Sequence, residues 1–210
     1  MKITKHQHAF LELTIGSQTA LIDPGIYQEV LPELKNVVAI VITHLHDDHC
    51  YPPHIQQLIA SNPGVKIFGT REVAEKLSGI AVQVVTHGDL SVVGEFSFEF
   101  SGDLHQVIHR SIPLVQNVAV TVNSLLFYPG DSYTFPEHSF EILACPASAP
   151  WLRISDLIDY LEAMKPKAAF PTHNALFSDV GHALQNARIK EYVTKNGGEF
   201  RYLTPGQSWG

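Results

Sequence analysis

The chain has 210 residues, 45% hydrophobic and 17% charged, which suits one soluble globular domain with a sizeable core. Its formal net charge of -7, with 14 scattered Lys and Arg, argues against a nucleic-acid surface, while a small anionic substrate stays compatible. No run reaches membrane-spanning length and the start, MKITKHQHAFLELTIG, has no apolar signal core, so a cytoplasmic protein with no membrane partner is expected.

Residues 10–15 (FLELTI) alternate apolar and polar, and 19–23 (TALID) follow the Gly16-Ser17 turn, so a β-hairpin is predicted, ended by Asp23-Pro24-Gly25. Residues 37–42 (VVAIVI) read as a buried strand. Pro52-Pro53 then opens a helix through residue 60, which Asn62-Pro63-Gly64 stops. A strand at 65–69, a helix at 70–77 with Thr70 as N-cap, and a strand at 82–86 follow. FSFEF at 96–100 has the strict alternation of a half-exposed strand.

The second half repeats this plan. Segments 118–122 and 125–128 are predicted to pair across Asn123-Ser124, with another strand at 140–144. Apolar residues recur at helical spacing over 152–164, up to Pro166. A strand at 168–172, a helix at 183–195 stopped by Gly197-Gly198, and a strand at 200–203 complete the chain. With no linker or repeat, residues 1–210 read as a single α/β (α+β) domain of two successive blocks. Two sheets with helices outside both would bury such patterns.

The chemistry concentrates in residues 43–49, THLHDDH, directly after the buried strand. Side chains alternate along extended backbone, so His44 and His46 can share one side, and a turn then lets Asp48 and His49 face a second point nearby. Two adjacent metal positions are the natural reading of that spacing, although a solvated His-rich turn is its plain alternative. Cys50 follows at once; it reads as a small, partly buried residue, and with Cys145 as the other cysteine no disulfide framework is available.

His44, His46, Asp48 and His49 form an HxHxDH pattern, and in this the chain resembles the metallo-β-lactamase superfamily of metal-dependent hydrolases. The resemblance implies a four-layer αββα sandwich over essentially the whole chain. It also implies a third histidine for the first metal after the FSFEF strand: His105 stands there in GDLH, with His109 as the alternative, or as a pocket residue contacting substrate or leaving group. In the same order, Asp131 of YPGD takes the place of the family's bridging carboxylate and His173 of PTH that of the last ligand. The Asp-Pro-Gly turn falls near the family's active-site rim, where Asp23 either supports the ligands or merely forms the turn. His6, His8, His54, His87, His138 and His182 are left as surface or turn residues.

The implied site holds two divalent ions, the first on His44, His46 and His105, the second on Asp48, His49 and His173, with Asp131 and a hydroxide between them and Asp48 also orienting the nucleophile. Imidazole and carboxylate donors suit Zn2+ best and accept Mn2+ or Fe. The implied activity is hydrolysis of a lactone, ester, amide or phosphodiester of a small molecule, and the chain is most similar to small bacterial members of the ascorbate-6-phosphate lactonase type. The competing readings are an iron-dependent oxidoreductase on the same scaffold and a non-catalytic metal-binding protein. His46 speaks against the first, since the superfamily's di-iron flavoproteins generally carry Glu there. Residues 147–152 are candidates for the pocket wall, with Trp151 otherwise a core residue.

Overall fold

Apolar residues at every second position, backed by helices with one apolar face, explain the layers seen in the computed structural model, which describes residues 1–210. The first sheet contains β1 (Lys2–Lys5), β2 (Leu11–Ile15), β3 (Gln18–Ile22), β4 (Val37–Ile42), β5 (Lys66–Gly69) and β6 (Gln83–Val84), with the final strand β14 (Ser208–Trp209) beside β1. The second contains β7 (Leu90–Val93), β8 (Phe96–Ser101), β9 (Ala119–Val122), β10 (Leu126–Tyr128), β11 (Ile142–Pro146), β12 (Ala168–Thr172) and β13 (Glu199–Phe200), in the reverse of that order across the sheet. Helices α1 (Pro52–Ser61) and α2 (Arg71–Lys76) cover the first sheet, and α3 (Ile154–Met164) and α4 (Asp179–Lys195) the second.

The largest core lies between the sheets. Phe96, Phe98 and Phe100 all point into it from alternate positions of β8, and Phe68 of β5 meets two of them with ring centroids 5.6 and 5.9 Å away. Two further cores sit under the helix layers: Leu21, Ile40, Ile42, Ile55 and Leu58 on one side, Phe127, Leu143, Leu157, Leu161 and Ile189 on the other. β4 and β11 therefore bury side chains on both faces, which is why they read as continuous apolar runs without alternation. Cys50 belongs to the core under α1, where burial pushes its thiol up to about 12, so it is an inert core residue rather than a partly buried one.

The predicted hairpins form: β2 pairs with β3, and β9 with β10 through Asn123 and Ser124, both at positive φ as a two-residue turn of this twist requires. β1, β7 and β14 were not expected from the sequence. They are short and lie at or next to the ends of the sheets, and β1 (KITK) and β14 carry little apolar pattern. α4 starts four residues before the predicted 183, because Ser178 serves as its N-cap by accepting from the Gly181 N–H. No helix is long and apolar enough to cross a membrane.

β4 runs parallel to β3 and β5, and β11 parallel to β10 and β12, so the C-terminal ends of these strands gather at two sheet edges. Residues 43–49 follow β4, Asp131 closely follows β10, and His173 follows β12. A backbone bond from the Val118 N–H to the Thr43 carbonyl joins the two sheets at this point.

Candidate metal centre

β4 is followed by Thr43, whose N–H and hydroxyl both donate to the Asp23 carboxylate, at 2.8 and 2.7 Å. With its hydroxyl proton committed there, the Thr43 oxygen accepts from His44 Nδ1–H at 3.0 Å, which leaves His44 Nε2 as a free lone pair. Asp23 Oδ2 also accepts from His49 Nδ1 at 2.7 Å, freeing His49 Nε2 in the same way. Asp23 is thus a fully buried hub for both imidazoles, more than the turn former that its Asp-Pro-Gly context requires. The loop it opens lies flat against the ligand turn: a Cβ on Gly25 would come within 1.8 Å of the Asp48 carbonyl oxygen, so only glycine fits.

His105 and His173 follow the same rule, whereas His46 turns its Nδ1 toward His44 Nε2. His105 Nδ1 donates to the Gln106 carbonyl at 2.5 Å, and His173 Nδ1 to the Ser148 carbonyl. All four rings therefore turn Nε2 inward with the tautomer set by an oxygen acceptor behind, the arrangement that orients metal-ligating imidazoles. Asp131 is held by the Asn117 side chain, which accepts from its N–H at 3.0 Å, and by Trp151, whose Nε1–H donates to Oδ2 at 2.8 Å.

The inward atoms converge. His44, His46 and His105 form one group; Asp48, His49 and His173, joined by His8, form a second; and Asp131 groups with His44 and His49, with ligand atoms in each group within 4.8 Å of one another. His44 Nε2 and His46 Nδ1 are 3.1 Å apart, His173 Nε2 is 3.2 Å from Asp48 Oδ2, and Asp131 reaches His49 Nε2 at 3.3 Å and His105 Nε2 at 3.4 Å. Donors about 2.0–2.1 Å from a tetrahedral cation stand about 3.3 Å from each other, so these separations fit that geometry. Nε2 of His49, His105 and His173 and Oδ1 of Asp131 are buried without any hydrogen-bond partner. Buried polar atoms are rarely left so, and four of them within these groups fit cations that would satisfy them.

Electrostatics separate the groups. Burial lowers His44 and His46, keeping them neutral. Burial also acts to lower His49 and His173, but the carboxylates beside them prevail, chiefly Asp131: His49 is raised well above its ordinary range and His173 to about 9. Asp131 and Asp48 are correspondingly held down against their own burial, Asp131 chiefly by His173 and Asp48 chiefly by His49.

Of the predicted residues, His44, His46, Asp48, His49, His105, Asp131 and His173 are brought together. His109 is not: it is exposed on the loop after His105, and its Nδ1 is engaged by the Ser111 hydroxyl at 2.7 Å and the Ser111 N–H at 3.1 Å. It belongs to none of the three groups. His8, set aside as a surface or turn residue, is 1% exposed and contacts Asp48. His54 is also buried, against the Pro24 carbonyl. Trp151 is buried, and its indole serves the centre as well as the core.

A family model described as a beta-lactamase superfamily domain matches residues 2–173. Protein Rv0786c of Mycobacterium tuberculosis is 31% identical over 199 residues, 92% of this chain and 93% of its own length. A UPF0173 metal-dependent hydrolase of Ligilactobacillus salivarius is 27% identical over 150 residues, covering 65% of this chain and 64% of that relative. Among solved structures, the metallo hydrolase Igni18 of Ignicoccus hospitalis shares the fold with a TM-score of 0.75 at 19% identity, over 99% of this chain and 97% of that one. CmlA, a diiron β-hydroxylase of Streptomyces venezuelae, shares it at 0.71 and 11% identity, over 99% of this chain and 53% of that one. Sandwich and inward-facing histidines together define a metallo-β-lactamase type of protein. The chain belongs to the metallo-β-lactamase superfamily.

Proposed function

We propose that this protein is a metal-dependent hydrolase that works with two divalent ions, most simply Zn2+, on a small-molecule lactone, ester, amide or phosphodiester. The observation that carries the reading is the set of buried, partnerless Nε2 and Oδ1 atoms on His49, His105, His173 and Asp131. His44, His46 and His105 would hold one ion and Asp48, His49 and His173 the other, with the Asp131 carboxylate facing both groups. Ions so held lower the pKa of water toward about 7 and stabilise negative charge that develops on a carbonyl or phosphoryl oxygen.

The chain's own part is preorganisation. Thr43, Asp23, Gln106 and Ser148 fix four imidazole tautomers, and Trp151 holds Asp131 by its indole N–H. Asp48, half-buried beside the second group, is the carboxylate placed to accept a hydrogen bond from an incoming water and so orient it.

The test is elemental analysis of protein purified without added metal, followed by a panel of lactones, thioesters, amides and phosphodiesters. Two equivalents of metal and turnover that disappears with chelation and returns with Zn2+ or Mn2+ are expected. Turnover by metal-free protein would discard the reading, and oxygen-dependent product formation with iron would replace it by the oxidoreductase one.

A further inference from the structure

The second group contains a histidine that the hydrolase reading does not use. His8 lies in the loop after β1, 1% exposed, its Nε2 3.1 Å from Asp48 Oδ2 and its ring centroid 3.9 Å from that of His173. Position alone would make it a further ligand. Its other nitrogen says otherwise.

His44, His49, His105 and His173, which face the centre with Nε2, each turn Nδ1 to an oxygen, and so keep the proton on Nδ1 and the lone pair on Nε2. His8 Nδ1 instead faces an N–H: the Ala175 amide donates to it at 3.2 Å. That amide cannot accept, so the Nδ1 lone pair must receive it, and the proton of the neutral ring resides on Nε2. A nitrogen bearing a proton donates to a carboxylate and cannot ligate a cation. We infer that His8 is a positioning residue for the second cation site, holding Asp48 by an Nε2–H bond and tying the ligand turn to the segment that carries His173; the inference rests on the two-ion reading.

The backbone supports the same assignment. The His173 N–H donates to the His8 carbonyl at 2.9 Å, so residue 8 contacts residues 173 and 175 on one side and residue 48 on the other. Both His8 (φ 56) and His173 (φ 54) adopt the left-handed conformation that L side chains rarely take. Strain at both ends of one hydrogen bond is maintained only where surrounding contacts over-determine it. His8 thereby joins β1, the β4 turn and the β12 end, three segments far apart in sequence.

Zn2+ titration of chelator-stripped protein against a chromophoric chelator tests this, with Asp48→Asn marking which constant belongs to the second site. In His8→Ala that constant should weaken about 10–100-fold, the usual effect of losing a group behind a ligand, while the first-site constant moves less than about threefold. His8→Gln keeps an N–H donor at the Nε2 position and should recover the second-site constant to within about threefold of wild type. Loss in His8→Gln as deep as in His8→Ala would overturn the inference and make His8 a ligand. An unmoved second-site constant in His8→Ala would overturn it by removing any role. If His8→Ala does not fold, His8→Gln decides alone: near-wild-type binding supports the role, and a loss above about tenfold overturns it. Wild-type protein that takes up one equivalent would overturn the two-ion reading and this inference with it, whereas two equivalents with either adverse variant result would overturn the inference alone.

Discussion

The two halves of the centre are both built mainly of imidazoles, under opposite fields. Around His44 and His46 burial prevails, and the rings are neutral before any cation arrives. Around His49 and His173 buried carboxylates prevail, and both rings tend to hold protons in the metal-free protein. One group is therefore ready for a cation, whereas the other has to exchange protons for it. This difference arises from where Asp131 and Asp48 stand, not from the histidines themselves.

Removing the charge that both groups share should do most damage. Asp131→Asn is expected to lower turnover by more than about a hundredfold, beyond the usual cost of losing an outer partner, and to reduce metal content at both positions by elemental analysis. Metal loss confined to one position would show that Asp131 serves one group only.

Asp23→Ala comes next, because it orphans the Thr43 N–H and hydroxyl and His49 Nδ1 in a fully buried setting. Each buried group left unpaired costs about 1–3 kcal/mol, so a clear drop in the thermal midpoint is expected together with metal binding weakened about 10–100-fold. A wild-type midpoint would show that water replaces Asp23 without loss.

The pH dependence sharpens the contrast directly. His173 goes from an ordinary 6.5 to about 9 in the fold and His49 is raised as well, so their contribution to metal-free stability is complete below about pH 6.5 and lost as pH rises through about 9. The depressed Asp131 and Asp48 contribute above their ordinary carboxylate range near 3.8 and lose that contribution as pH falls through their folded values. Metal-free protein should thus be most stable at mildly acidic pH and less stable toward pH 9. Loaded protein, whose ligands have already given up these protons, should lack that decline, and loading at neutral pH should release protons measurable in weakly buffered solution. Parallel melting curves for the two forms from pH 5 to 9 would contradict the assignment.

The smallest effect is expected at His109. Exposed and bonded to Ser111, it should leave metal content unchanged on His109→Ala and alter turnover by less than about threefold, as surface substitutions usually do. A rate loss of tens of fold would return it to the substrate pocket.

Residues 43–49 were legible in the sequence because a strand end, a two-residue alternation and a turn are local: two ligands of the first group, His44 and His46, and two of the second, Asp48 and His49, follow from a few dihedral angles. His105, Asp131 and His173 were legible only as an order along the chain. Their convergence depends on strand register in both sheets. The supporting residues were harder. Asp23 could be read as turn or support, Trp151 as core or pocket, and His8 was set aside, because a ring's role depends on whether its second nitrogen meets an oxygen or an N–H. For His8 that partner is residue 175, at the other end of the chain.

By itself the sequence determined the layer architecture, through apolar periodicities of 2 and 3.6, and the kind of chemistry, through donor types placed at strand ends. Tertiary structure alone decided which histidines turn lone pairs inward, which of them carry protons, and which merely hold others in place. The physical reason is that tautomer and charge are set by neighbours a few ångströms away in space, whether adjacent in the chain, as Thr43 is to His44, or 167 residues off, as Ala175 is from His8, and no local pattern says which.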